Sequence, residues 1–487
     1  MGSKYVLAIY DIRGKQEFIY RSNRIKEIIG ASVIIRDCFE DYLYPVAETI
    51  GAKKGIFHQD EPFTKAAFEK HIEEGYLGEV VYEGGGNFLL LYKDEETFKE
   101  ITYLFTKKIL EEVGTLRVLG TCISDVDFEN YKGDQKRLYE MHRKNEGMES
   151  NISPWGTLPI VQVDRRTYMP LVDIINTQAN ISEKVSKESK AKYKAYQKEC
   201  AIQGSTMGET VLDKLVHKKG EESLLAIIYI DGNNMGAQVQ ACHENKSSYE
   251  DCVAALRSFS KKVQKDYIDD RKIVIDQVLQ EKYPQNKKIS RQRLILGAGD
   301  EINFICNARD ALDCVRAYMD SLPEGCSSCA GIAVFHSHAP YAEAYRMAEE
   351  CCESGKKLMK EKEINHACFV DFHYCQGAIG ISLEDIRRIE HTSESSRPWL
   401  LKTDEGEKTA EVTDFSQIEY VKKLLNTMGR SNVKTLFQAA KTDKIQYQLE
   451  LQRISAHMGI DAILELNDKR RLVYDMGIAY DIWFSEK

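Results

Sequence analysis

Within Arg293–Cys306, RLILGAGDEINFIC, two short apolar runs flank a turn that ends in adjacent carboxylates, Asp300 and Glu301. The pattern predicts a β-hairpin with acid at its tip. Two acids there contribute nothing to a core, but they are well placed to hold a divalent metal if a third carboxylate arrives from a neighbouring strand. Leu224–Ile230, LLAIIYI, reads as a buried strand and breaks at Asp231-Gly232-Asn233-Asn234-Met235-Gly236, a loop of small residues. The two segments together predict a two-metal nucleotide site with Asp231, Asp300 and Glu301 as ligands.

The same arrangement occurs earlier in the chain. Lys4–Tyr10 reads as a strand, followed by Asp11-Ile12-Arg13-Gly14 and a helical stretch; later Glu79–Tyr82 and Phe88–Leu91 flank the turn Glu83-Gly84-Gly85-Gly86-Asn87. Asp11 to Gly86 spans 75 positions (86 − 11) and Asp231 to Asp300 spans 69 (300 − 231). A helix pattern and then a strand follow each hairpin, at Leu116–Ser124 and at Cys329–Phe335. These features predict an α+β protein built on an internal repeat, each half a palm-like mixed sheet with helices on one face. In the first half Gly86 and Asn87 stand where the second has Asp300 and Glu301, so the first would lack metal-binding acids. The expected domains are a degenerate first palm at 1–150, an exposed helical connector at 151–222, a catalytic second palm at 223–376 and a helical domain at 377–487.

Composition bounds the function. A formal charge of −9 over 487 residues excludes a generally basic nucleic-acid coat, so any RNA contact must be local. Thirteen scattered cysteines, with no secretory or transmembrane segment, point to a reducing cytoplasm. Cys326 and Cys329 form one CxxC, without the second ligand pair a structural zinc site needs. Asp-Gly-Asn-Asn is also an ordinary turn sequence. What separates the metal reading from a turn is that both turns follow apolar strands, both recur, and one half keeps the acids. The backbone N–H groups of Asn233, Asn234, Met235 and Gly236, ahead of a helix, would cradle a triphosphate beside Gly232. Lys287, Lys288, Arg291 and Arg293 read as a solvated charged loop.

These residues resemble the large polymerase-like subunit of type III CRISPR effector complexes, a branch of the GGDEF and nucleotide-cyclase superfamily. The second half is similar to that family's catalytic palm through Asp231–Gly236, through Ala298-Gly299-Asp300-Glu301, and through Ala330-Gly331-Ile332-Ala333 followed by His336, Pro340 and Ala348. The first half is similar to the family's inactive palm through Asp11–Ile19 and Gly84–Phe88. The family's turn is usually Gly-Gly-Asp-Asp; Glu301 here still supplies a second acid. The chain contains no His-Asp dipeptide, and a compact or standalone relative without the HD nuclease domain is expected. The resemblance implies a nucleotidyltransferase that uses two Mg²⁺ or Mn²⁺ ions to convert ATP into cyclic oligoadenylate or a cyclic dinucleotide messenger in antiviral defence. The alternative is a catalytically silent RNA- or nucleotide-binding scaffold. A superfamily lysine that neutralises the triphosphate is matched by Lys356, eight residues after Ala348, with Lys357 as its neighbour. Nucleotide, RNA, CRISPR-complex subunits and a second copy of the chain are the partners left open, with no membrane.

Overall fold

The computed structural model describes residues 4–50, 54–58, 62–84, 87–148, 160–177, 181–202, 215, 223–284, 291–375, 377, 380–389, 395–403 and 412–485. Gly85, Gly86, Lys287 and Lys288 lie outside them. The fold is mixed α and β, with three sheets and 58% helix among the described residues. Two compact units make up the chain: Met1–Glu209 with Asn234–Lys265 and Ala298–Asp300, and Thr210–Asn233 with Asp266–Gly297 and Glu301–Lys487.

The first unit is built on a five-stranded sheet, ordered β2-β3-β4-β1-β5. Its strands are β1 (Val6–Arg13), β2 (Ile56–Phe57), β3 (Gly78–Gly84), β4 (Asn87–Tyr92) and β5 (Arg117–Ile123). Val6–Tyr10 is buried at every position because β1 is central, antiparallel to both β4 and β5, and covered on both faces. On one face Leu7, Ile9, Leu89 and Leu91 pack with Tyr131, Leu138, Tyr249 and Leu256 of the helices Tyr131–Met148 and Tyr249–Val263. On the other, the Tyr10 ring meets Phe105, and its hydroxyl lies 2.7 Å from Thr102 Oγ1, both on the helix Glu95–Glu112. Helices on one face only were expected, but a strand apolar at every position needs cover on both sides. The helix Tyr249–Val263, expected in the second palm, belongs to this unit because its apolar stripe completes this core, with Arg257 bonded to Val81 O at 3.2 Å.

Among its described residues, the expected connector 151–222 is not only exposed helix. It contains a hairpin of β6 (Leu171–Thr177) and β7 (Ile181–Ser186), then the helix Lys187–Ile202. That helix carries a fully buried ion pair, Lys192 to Glu188. It presses so closely on the helix Ile25–Arg36 that a Cβ on Gly30 would stand 1.8 Å from Lys192 O.

The second unit holds a six-stranded sheet, ordered β13-β12-β11-β8-β10-β9. Its strands are β8 (Leu224–Gly232), β9 (Gln292–Ala298), β10 (Glu301–Asn307), β11 (Ser328–His336), β12 (Ala367–Tyr374) and β13 (Trp399–Thr403). β8 is antiparallel to β10 and β11, as β1 is to β4 and β5. The sheet orders β3-β4-β1-β5 and β9-β10-β8-β11 therefore coincide, the structural form of the internal repeat. β13 comes from the stretch expected to be a helical domain with few strands: Trp399 is fully buried on the sheet edge, but the three apolar residues Trp399, Leu400 and Leu401 are too short a run to signal a strand. Beyond it the helices Phe415–Thr427 and Lys444–Met458 are capped by Asp414, accepting from Gln417 N, and Asp443, accepting from Gln446 N. Among the described residues no helix is long and apolar enough to cross a membrane.

Candidate active site

Asp231 lies near the end of β8, and Glu301 opens β10. Ile302 pairs with Ile230 in the antiparallel register, so one step outward places Glu301 opposite Asp231, with both carboxylates on one face of the sheet. Tyr229, two residues before Asp231, shares that face. Its phenol is held far above the ordinary range, chiefly by burial and then by the negative charges of Glu301 and Asp231.

The helix Tyr341–Glu361 covers the same face: Tyr345 meets Tyr229 edge-on, ring centroids 5.6 Å apart. Gly331 on β11 lets it approach, since a Cβ there would stand 1.8 Å from Ala348 O. Eight residues is slightly over two turns, so Lys356 extends the Ala348 side of the helix toward the strand ends. Its Nζ donates to Asp231 Oδ2, with the two side chains 27% and 22% exposed. Burial lowers the ammonium's pKa, but the Asp231 charge and hydrogen bond outweigh it and the net shift is upward. Lys357 is exposed, so of the two lysines Lys356 is the one that reaches the site. It also lies more than a turn before the helix end at Glu361, so helix-dipole compensation does not account for it.

Asp300 immediately precedes Glu301 and groups with the first unit. It stands in a turn shaped by Gly299, whose φ of +65° favours glycine and whose N–H donates to Gln264 Oε1 at 3.2 Å. Gly232 ends β8 opposite Ser328. Asn233 does not offer its amide to a phosphate: its N–H donates to Ser327 O at 2.9 Å, and its buried Nδ2 donates to Ser327 Oγ and Ala367 O. Asn234, left-handed at φ 57°, precedes the helix Met235–Glu244. The first-turn N–H groups of Met235 and Gly236 have no acceptor within that helix, and the space around Gly236 is open.

Asp231 and Glu301 are hard oxygen donors on adjacent strands of a rigid sheet, next to a phenol that registers both charges. That donor set fits Mg²⁺ or Mn²⁺.

The first unit holds a cluster that sequence reading missed. Asp11 pairs with Asn87 in the register, the position that Glu301 takes beside Asp231. Arg13 Nη1 donates to Asp11 Oδ2 at 2.8 Å and to Glu146 Oε1 at 2.7 Å. His142 Nε2 is 3.8 Å from Asp11 Oδ2 and 3.6 Å from Glu146 Oε1, and its Nδ1 is 3.1 Å from Thr121 Oγ1. Burial raises the Asp11 pKa, but His142, Arg13 and Lys15 outweigh it and hold the acid below its usual range. Asp11, His142 and Glu146 could ligate a metal by spacing alone, but the Arg13 guanidinium already compensates both carboxylates. The signal available was the i, i+4 spacing of His142 and Glu146 in a helix whose charged residues otherwise read as solvated.

No protein-family model matches the chain, and no curated protein matches it. Solved structures do. A Csm1–Csm4 cassette in complex with cA4 aligns over 99% of this chain and 70% of its own, at 13% identity and a TM-score of 0.51. Its fold resembles that of Csm1. Csm1 of T. onnurineus aligns over 99% and 69%, at 13% identity and TM-score 0.51. The Csm1–Csm4 subcomplex of the type III-A CRISPR-Csm interference complex aligns over 98% and 69%, at 14% and 0.50. These structural neighbours are Csm1 subunits of type III CRISPR-Csm complexes, and at such identities the likeness establishes the fold alone.

Proposed function

We propose that the chain is a metal-dependent nucleotidyltransferase of the two-palm type that joins ATP into cyclic oligoadenylate or a cyclic dinucleotide, with the second unit's sheet as the catalytic palm and the first as its degenerate counterpart. The observation that carries the reading is the Ile230–Ile302 pair at the end of β8, one step beyond which Glu301 faces Asp231 and its partner Lys356, where the first unit's equivalent strands pair Asp11 with Asn87. Csm1–Csm4 cassettes have been solved with one ATP, pppApA and cA3, which supports a nucleotide as the substrate here.

The reaction is attack of a 3′-hydroxyl on an α-phosphate with departure of pyrophosphate. Asp231, Asp300 and Glu301 would hold two Mg²⁺ or Mn²⁺ ions, which when bound supply neutralisation of charge on the attacking and leaving oxygens. The sheet keeps Asp231 and Glu301 at fixed separation, so little reorganisation accompanies the reaction. Gly232 and Asn234 form the turn, and the N–H groups of Met235 and Gly236 receive phosphate oxygens. Lys356 transfers its ammonium from Asp231 to the triphosphate and follows pyrophosphate as it leaves. Asn233 anchors the loop to Ser327.

The experiment is pyrophosphate release from each of the four NTPs with Mg²⁺ or Mn²⁺. Release with ATP, lost in Glu301→Gln, supports the enzyme. Tight nucleotide or RNA binding with no release supports the scaffold and overturns the reading.

A further inference from the structure

Each half of the repeat sets a basic side chain against the aspartate near the end of its central strand, but the two cations are held differently. In the first unit Arg13, on β1 itself, places Nη1 between two carboxylates, 2.8 Å from Asp11 and 2.7 Å from Glu146. A guanidinium shared at hydrogen-bond distance by two acids is a fixed tie. In the second unit the cation arrives from a helix, Lys356 Nζ donating to Asp231 Oδ2. A second acid, Glu353, lies one turn back along the helix Tyr341–Glu361, with Oε1 4.0 Å from the same Nζ. That is beyond hydrogen-bond reach, and the Glu353 side chain is 63% exposed.

An ammonium and a divalent ion close to one carboxylate oxygen repel each other, so a metal drawn by Asp231 and Glu301 meets Lys356 as a competitor. The apparent affinity of any site falls with the fraction of molecules in which it is open to the ligand. Where a displaced ammonium goes is set by the helix. Gly331 lets that helix lie directly on β11 at Ala348 O, so the backbone of Lys356 is held and its four-carbon stem is the part that moves. Glu353 and Lys356 are i, i+3 neighbours on one helix surface, which puts the Glu353 carboxylate within the sweep of that stem.

Building on the assignment of Asp231 and Glu301 as metal ligands, we propose that Lys356 is a displaceable counter-cation that lowers the metal affinity of Asp231, and that Glu353 is the positioning residue that takes up its ammonium when a divalent ion enters. Metal and triphosphate then both draw Lys356 off Asp231, and by linkage each strengthens the binding of the other. The first unit has no counterpart of this exchange, because Arg13 is tied to Glu146 as firmly as to Asp11.

The test is Mn²⁺ binding to the full chain without nucleotide, followed through the electron paramagnetic resonance signal of free Mn²⁺, so turnover does not enter the readout. The component lost in Asp231→Asn is the one compared among variants. Lys356→Met should tighten it about tenfold or more. Lys357→Met removes the same charge from an exposed neighbour and should change it by less than about twofold. Glu353→Gln should weaken it about threefold with Lys356 present and leave it unchanged in the Lys356→Met background, the non-additivity of a residue that acts through Lys356. Lys356→Gln repeats the comparison if Lys356→Met loses its circular dichroism signal. An equal loss from Glu353→Gln in both backgrounds would overturn the role of Glu353. Asp231-dependent binding of equal affinity in wild type and Lys356→Met would overturn the displacement and leave the metal site standing. Absence of Asp231-dependent binding from the wild type and every Lys356 variant would overturn the metal assignment and this inference together.

Discussion

Lys356→Ala removes the cation from Asp231 and leaves that carboxylate beside Glu301. With both partners about a quarter exposed, the pair is neither a surface ion pair of negligible worth nor fully desolvated. Two charges 4 Å apart at an effective dielectric of 20 interact by about 4 kcal/mol, an upper bound. Solvent around the partly exposed groups reduces this to about 1–2 kcal/mol of lost stability, or about 2–4 °C in Tm for a unit of 150–250 residues. The pH dependence follows from the raised Lys356 pKa. A group whose folded pKa exceeds its unfolded value contributes fully below the latter, about 10.4 for lysine, and loses the contribution as pH rises through the folded value. The Tm difference between wild type and Lys356→Ala should therefore be constant from about pH 6 to 9 and shrink above about pH 10.4. Differential scanning fluorimetry across that range measures it. The same variant should raise the apparent KM for ATP and slow turnover, while Lys357→Ala does less. If Lys356→Ala melts with wild type and keeps its KM, the pair contributes neither stability nor phosphate binding.

Glu301→Gln and Asp300→Ala should each abolish product formation with unchanged circular dichroism; near wild-type turnover at saturating metal excludes that residue as a ligand. Asp11→Asn should leave initial rates within a few-fold, on the order of 1 kcal/mol in barrier, and a loss as deep as that of Glu301→Gln would end the division between the two halves. Because the Asp11 pKa is depressed, its stabilising contribution is present above about 3.9 and lost as pH falls through the folded value. The Tm gap between wild type and Asp11→Asn should accordingly narrow below about pH 4. Gly331→Ala forces a methyl into Ala348 O and should cost about 3 kcal/mol, seen as a lowered urea midpoint; a wild-type midpoint would mean the helix shifts freely on β11.

The β8 and β10 strands were readable because each is a continuous apolar run ended by small or acidic residues, whereas the register that sets Glu301 opposite Asp231 comes from the structure. Lys356 was readable by its spacing from Ala348, but not its bond to Asp231. The β6–β7 hairpin was hidden by Lys184 and Glu183, which make the segment look like a solvated helix, and Lys192 read as surface charge although it is buried with Glu188. Asn233 looked like a phosphate-binding turn residue because a turn sequence does not reveal that Ser327 and Ala367 will supply its partners. The cluster of Asp11, Arg13, His142 and Glu146 depends on bringing positions over a hundred residues apart to one sheet end, which local pattern does not encode.

Mass spectrometry of products after incubating the purified chain with ATP and Mg²⁺ or Mn²⁺, beside Asp231→Asn, tests the central claim most directly. Cyclic adenylate products with pyrophosphate from the wild type, and neither from the variant, is the predicted result. Intact ATP in both, under conditions where the wild type binds it, would contradict the account.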